Sequence, residues 1–347
     1  ARFLEAHFDG KPKLDLNAIS DDAYFDAFGA VVVAPVMLSM MLWLKSEMDR
    51  HGLRRIVFLA RDGMFPKTLF DMLWPEKYET EYAAASRRLL SLPFGELDER
   101  LIHSMFRATL NGAVRLQDFL EMIAAGEGLK SLLERNGFDI DEPLTRRSRK
   151  QVLKLLKDNP ALISAAFANE RKVTTSYYRQ MFPAGTRNAL FDVGWRGSLQ
   201  RSICDIVDPT AQVTGFYFGT DRNANTLLRR HGLSYESYSV HNGLPAAKAK
   251  WVSDFRYVVE FLFSADHGGV LRLSDMENGT HKWHLAKVNQ EEQANLLISK
   301  RIQNAALEAI DAITKALPMD FIETLASNKD EEDFLKFLAQ PHRLDAR

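Results

Sequence analysis

A run of apolar residues that ends abruptly in charge constrains this chain more than any other feature. Ile56-Val57-Phe58-Leu59-Ala60 is followed at once by Arg61-Asp62-Gly63, and Met64-Phe65-Pro66-Lys67 opens a helix-like run to Leu73. An unbroken apolar run fits a strand buried on both faces, as in a parallel sheet covered by helices. Charge directly after such a strand lies where open α/β sheets bind ligands, at the carboxyl ends of the strands. A second unit of the same shape comes much later. Ala189-Leu190-Phe191-Asp192-Val193 leads into Gly194-Trp195-Arg196-Gly197-Ser198, and Leu199-Gln200 begins a helix-like run. The expected fold is therefore α/β with a mainly parallel sheet. The two loops are expected to form one phosphate-rich site.

The remaining chain fills in around these units. Residues 1–20 read as an extended polar lead-in, and 21–51 as one or two helices stopped at His51-Gly52. Their apolar stretch, Ala30 to Leu44, is shorter than the ~20 residues a spanning helix needs, so a buried helix is expected and no membrane span. Strands are expected at 55–60, 78–85, 188–193 and 212–219. Helical periodicity through 96–182 marks a helical insertion over the sheet, bounded at 95–187, rather than a separate domain. Residues 221–250 read as polar loop. The part from 251 to 347 reads as mostly helical: a helix at 251–265, a short strand at 270–273 with a partner at 282–287, a long amphipathic helix at 290–317 and one or two more at 319–340. The chain is expected to be one α/β catalytic domain over 1–347.

Composition excludes some functions. A net charge of −1 gives no support for nucleic-acid binding. Hydrophobic content of 46% is enough for a core. The lone Cys204 permits no internal disulfide, reads as a buried small residue, and fits a cytoplasmic setting. The basic run Arg146 to Lys150 reads as a solvated helix face. The sequence opens on Ala1 rather than Met, which suggests a piece of a longer chain.

The chemistry concentrates in the two loops. Gly194 and Gly197 bracket Trp195-Arg196, and Ser198 opens a helix; such a loop points backbone N–H groups at an anion. Gly197 would allow close approach of a phosphate, Ser198 would add a hydroxyl or a cap, and Arg196 a bidentate contact. An equally simple reading is a sharp strand-to-helix turn. The spacing of a Walker loop, a dinucleotide fingerprint and a nucleophile elbow are all absent. Ser86-Arg87-Arg88 ends the second candidate strand, so Arg61, Arg87, Arg88 and Asp62 are expected on the edge that carries 194–198. One carboxylate among arginines suits a pyrophosphate with Mg2+, the carboxylate holding the metal.

Phe-Leu-Ala-Arg-Asp-Gly at 58–63 and Asp-Val-Gly-Trp-Arg-Gly-Ser-Leu-Gln at 192–200 resemble a domain of bacterial polysaccharide-biosynthesis proteins. That domain often follows a haloacid dehalogenase-like phosphatase and is labelled accordingly. The resemblance extends from about Phe28 to Val270 and includes Glu260 to Ser264 and His267-Gly268. The same motifs are similar to those of a divergent type I phosphoribosyltransferase. In that fold one loop holds the pyrophosphate of phosphoribosyl pyrophosphate and a later one holds its 5-phosphate. The chain departs from the pattern where Phe191-Asp192 replaces an acidic pair and where Trp195 and Arg196 replace small residues.

The resemblance implies a ribofuranosyltransferase with a phosphoribosyltransferase-type sheet, passing 5-phosphoribose to a glycan acceptor in O-antigen or capsule biosynthesis. It implies Mg2+, fused or associated phosphatase and glycosyltransferase modules, and a cytoplasmic location peripheral to the inner membrane. Arg61, Arg87 and Arg88 would take the pyrophosphate, Asp62 the metal with Gly63 in the same loop, and Asp192 the ribose hydroxyls. Gly194, Trp195, Arg196, Gly197 and Ser198 would surround the 5-phosphate. Asp266, His267 and Glu260 are candidates for the acceptor's base, His267 also reading as a turn histidine. The alternatives are a haloacid dehalogenase-like phosphatase, which needs Asp-x-Asp where this chain has Ala60-Arg61-Asp62, and a non-catalytic glycan-binding module.

Overall fold

A computed structural model describes residues 21–95, 115–122, 127–239, 256–276 and 278–325. A helical run, α1, comes first: Asp21–Phe28, a π-helical segment Gly29–Val33, and Ala34–Arg50. The sheet and its helices follow in alternation: β1 (Arg55–Leu59), α2 (Met64–Leu73), β2 (Glu79–Ala83), then α3 (Arg87–Ser91). A block of helices intervenes: α4 (Leu116–Met122), α5 (Glu127–Arg135), α6 (Arg146–Asp158), α7 (Pro160–Ala166) and α8 (Ala168–Met181). Then come β3 (Arg187–Asp192), α9 (Ser198–Ile206), β4 (Gln212–Tyr217), α10 (Arg222–Arg230) and β5 (Tyr235–Ser237). The last elements are α11 (256–263), the strands β6 (Val270–Asp275) and β7 (His281–Leu285), α12 (Gln290–Ala316) and α13 (Met319–Leu325).

Five strands form one parallel sheet in the order β2-β1-β3-β4-β5, and β6 and β7 pair antiparallel apart from it. This is one of the common orders of doubly wound sheets. The handedness of crossovers explains the layers. A right-handed return from β1 to β2 runs one way along the sheet, and returns from β3 to β4 to β5 run the other way, so their helices fall on opposite faces. Accordingly α2 packs with α1, α11 and α12 against Ile56, Phe58, Ala189 and Phe191. On the other face α8, α9 and the β6–β7 hairpin pack against Val57, Leu59 and Leu190. Alternate residues of β1 thus feed two cores, which is why its sequence is continuously apolar.

The apolar part of α1 is long enough to pass as a membrane span by length and hydropathy. Met37, Met40, Met41 and Leu44 are nevertheless buried in the first core, against the sheet and α12. The helical block carries an apolar cluster of its own, with Phe119, Leu129, Leu133, Val152, Ile163 and Phe167 at its centre. The basic run at 146–150 lies in the first turns of α6, which Thr145 caps by accepting the Ser148 N–H. Cys204 is half-buried in α9, and burial pushes its thiol up to about 12.

Of the segment 221–250, residues 221–239 depart from the reading as loop, and 240–250 lie outside the described residues. Asp221 caps α10 by accepting the N–H groups of Asn223 and Ala224, and β5 extends the sheet beside β4. Of the expected helix at 251–265, positions 256–263 are helical, and Trp251 and Phe255 lie outside the described residues. So do residues 1–20 and the continuation past 325.

Candidate active site at the β1–β3 edge

The strand order reverses between β1 and β3, and the loops after these two strands meet there. This is the crevice in which doubly wound sheets bind ligands. After β1 the chain turns through a cis Ala60–Arg61 peptide bond, and the Gly63 N–H returns to the Leu59 carbonyl at 2.8 Å. The turn leaves Arg61 and Asp62 at the strand end, both half-buried. After β3, Gly194 carries φ +21° and passes so close to the Asp192 carboxylate that a Cβ there would collide with it. Gly197 sits at φ +67° as the N-cap of α9, where a Cβ would meet Leu228 Cδ1 at 2.7 Å. Both positions need a residue without a side chain. Ser198 is the first helical residue and does not cap; no side chain caps α9.

Three carboxylates share this edge. Desolvation pushes the Asp62 carboxyl up to about 6; Arg61 beside it pulls the other way and the Glu260 charge adds to the rise. Asp192 is 6% exposed. Burial and then the charge of Asp62 push it up to about 7, against the Gly194 N–H and Arg87, and Glu260 pushes in the same direction. Carboxyls raised this far in a cleft mark a functional-site candidate. Glu260 comes from α11, which packs in the first core against the sheet. Its Oε1 accepts the Trp195 indole N–H at 3.0 Å.

Each arginine has a different setting. The Arg61 Nη1 donates to Glu292 Oε1 at 3.1 Å, from the first turn of α12. Arg196 Nε donates to Asp221 Oδ2 at 3.3 Å, and the Asp221 N–H is donated to the Trp195 carbonyl at 2.7 Å. Arg87 is exposed on α3 and is felt electrostatically at Asp192. Arg88 departs from its expected place among the pyrophosphate ligands. One residue further round α3, it is 4% exposed and forks onto Glu170, with Nη2 3.0 Å from Oε2 and the guanidinium over the Phe167 ring. Buried arginine with a bidentate carboxylate is committed to joining the helical block to the sheet.

His267 stands at the β2 side of the edge. Its Nδ1 lies 2.8 Å from the Gly268 carbonyl, which only accepts, so Nδ1 carries the proton. Nε2 then accepts the Tyr82 hydroxyl at 2.8 Å, and that hydroxyl also lies 3.3 Å from the Arg61 carbonyl. His267 Nε2 and the Arg61 carbonyl thus face the one proton of the Tyr82 hydroxyl, the imidazole nitrogen being the nearer. Asp266 points away, toward Lys300 at 4.0 Å.

Sequence reasoning did not single out Tyr82, Asp221 or Glu292. Asp221 and Glu292 had a signal, since both belong to N-terminal caps: Asp221 is the cap of α10, and Glu292 stands three residues after the cap Asn289. That signal marks helix starts and carries no information about which arginine lies opposite. Among the described residues one trio, Glu47, His51 and Glu236, has ligand atoms mutually within 4.8 Å. It lies away from this edge, and Arg50 already pairs with its Glu236 at 2.7 Å. No protein-family model matches the chain, and no curated protein matches it in sequence.

Proposed function

We propose that the protein is a phosphoribosyltransferase acting on a glycan, with phosphoribosyl pyrophosphate as donor. One observation carries the reading: coupled carboxyls, Asp62 and Asp192, meet at the sheet's switch point beside Arg61, Arg87 and the glycine-bounded loop that opens α9. The donor is a ribose with an anionic group at each end. Arg61 and Arg87 suit the pyrophosphate, Asp192 the ribose hydroxyls, and the N–H groups at 197–199 with Arg196 the 5-phosphate. Arg88 leaves this set. The phosphoribosyltransferase type of sheet is part of the proposal, the parallel α/β sheet being what the structure shows.

The donor set fits Mg2+. This cation takes one or two carboxylates and completes its shell with water and substrate phosphates, and Asp62 is an oxygen donor among other carboxylates whose repulsion a cation would relieve. When bound, the ion would neutralise charge on the leaving pyrophosphate. The residues of the chain do the rest. C1–O cleavage passes through an oxocarbenium-like state, so the protein must hold the leaving oxygens and align the acceptor hydroxyl on the opposite face of C1. Arg61, steadied by Glu292, and Arg87 do the first. Inversion at C1 follows from in-line attack.

A haloacid dehalogenase-like phosphatase fits less well. Its nucleophile would stand two residues before Asp62, where Ala60 has only a methyl group. The test is thermal denaturation with millimolar phosphoribosyl pyrophosphate and Mg2+. A rise in the midpoint that ribose 5-phosphate alone does not produce is expected; no shift would sink the transferase reading.

A further inference from the structure

The donor residues all come from the carboxyl ends of β1, β2 and β3 or the segments that follow them, and α11 is joined to them through Glu260. Its buried face is Val259, Leu262 and Phe263, which pack into the first core. Glu260 projects from the flank of that face toward the sheet. The Trp195 indole fixes it, and Trp195 is itself immobilised: its ring backs onto Gly219, where a Cβ would meet Cζ3 at 2.9 Å, and packs edge-on against Phe218. One turn earlier on the same flank stands Tyr257, 60% exposed. Residues three apart share a helix face. The Arg256 guanidinium lies 4.7 Å from the Tyr257 ring centroid and its Nη2 donates to the Tyr257 hydroxyl at 2.7 Å. Arg256 also feels the charges of Glu260, one turn on, and of Asp221, the partner of Arg196.

We infer that this flank of α11 is the acceptor subsite: a sugar stacks on Tyr257 and presents one hydroxyl to Glu260. The chemistry matches a carbohydrate on two counts. With arginine over one face of the ring, the opposite face is left for the C–H face of a pyranose or furanose, and aromatic rings with a polar tip serve this purpose at wet sites. A carboxylate oriented by an indole N–H is a hydrogen-bond acceptor for a hydroxyl. Glu260 comes from α11, an element that supplies none of the residues assigned to the donor, and so is left for the acceptor. In the transfer, the acceptor oxygen forms a bond to C1, the C1–O bond to pyrophosphate breaks with its electron pair leaving on pyrophosphate, and the hydroxyl proton passes to Glu260. Trp195 is a positioning residue in this scheme.

This inference rests on the transferase reading for its chemistry, but sugar binding can be read without donor. The probes are methyl glycosides of common hexopyranoses and of ribofuranose, observed by saturation-transfer NMR on the whole protein. Saturation transfer to at least one glycoside is expected, lost in Tyr257→Ala and kept in Tyr257→Phe. In the same proteins the thermal shift by phosphoribosyl pyrophosphate and Mg2+ should be unchanged, so failure of donor binding and failure of the acceptor subsite are read separately. Glu260→Gln retains an oxygen for the Trp195 N–H. It should bind the best glycoside within about threefold while pyrophosphate release in its presence falls by about 100-fold or more. No glycoside signal with the unmodified protein, or an unchanged one in Tyr257→Ala, would overturn the subsite. Full turnover in Glu260→Gln would overturn its role as proton acceptor.

Discussion

Burial, and after it the charge of Asp62 across the gap between the β1 and β3 loops, push the Asp192 carboxyl up to about 7. Two strands that lie side by side but are separated by a long excursion of chain therefore hold a repelling pair of carboxyls, which a proton, a bound cation or a cationic substrate group would relieve.

That pair has a cost visible in stability. The folded pKa of Asp192 is above its unfolded value, so the unfolded chain gives up its proton first as pH rises. Stability from this group is full below about pH 4, declines up to about 7, and stays low above it. Asp192→Asn removes the penalty. It should be more stable than the unmodified protein at pH 8 by about 2 kcal/mol, a discounted share of what a shift of this size implies at about 1.4 kcal/mol per unit. The two should converge near pH 4. Denaturant melts across this range check it, and a less stable Asn variant at pH 8 would show that the carboxylate is favoured in place.

Pyrophosphate release should depend on both loops. Arg61→Ala and Asp192→Ala are each expected to lower it by about 100-fold or more, as for groups that stabilise transition-state charge. Glu292→Gln, which loosens Arg61 without removing it, should cost much less. Retained turnover in both alanine variants would dissociate the edge from the reaction.

The neighbours Arg87 and Arg88 should separate cleanly. Arg88→Met strands Glu170 in the interior and should destabilise the fold by about 3–5 kcal/mol. Arg87→Ala should change stability by less than about 0.5 kcal/mol. Donor affinity, measured by calorimetry, should fall about tenfold in Arg87→Ala only.

Gly197→Ala should cost about 2 kcal/mol, combining the left-handed backbone with the contact to Leu228. Pairing it with Leu228→Ala tests the cause. The double variant should lose less than the sum of the singles, since the two share a contact. Strict additivity would leave the backbone conformation as the whole explanation.

Much of this arrangement was legible in the residues. The continuous apolar runs of β1 and β3 announce strands covered on both faces, and the charged loops at their ends do come together at one edge. The β6–β7 pairing and the long α12 were readable from alternation and periodicity. What was not readable is instructive. β5 is three residues long, and α10, Arg-Asn-Ala-Asn-Thr-Leu-Leu-Arg-Arg, buries Ala224 and Leu228 on a single narrow contact, too little apolar surface to signal a helix. Arg87 and Arg88 are identical as letters. Their fates differ because α3 turns about 100° per residue, which sends one to solvent and the other to Glu170. Partners from distant elements, such as Glu292 for Arg61, are set by packing that no local pattern records.

One feature of α12 bears on how the protein is made. Its middle covers α1: Ile302, Ala306 and Ile310 join the methionine-rich core, Gly29 lies against the Ile302 carbonyl, and Arg301 grips Asp26 at 2.6 Å. Its first turn supplies Glu292 to Arg61. At roughly 5–20 residues per second, synthesis takes on the order of ten to fifty seconds to travel from Arg50 to Gln290. Throughout that interval the nascent chain carries a long apolar helix without the α12 part of its cover and an arginine loop without its counter-charge. The period in which this helix is uncovered and the period before the Arg61 loop gains its counter-charge are therefore the same, and both close when one helix leaves the ribosome.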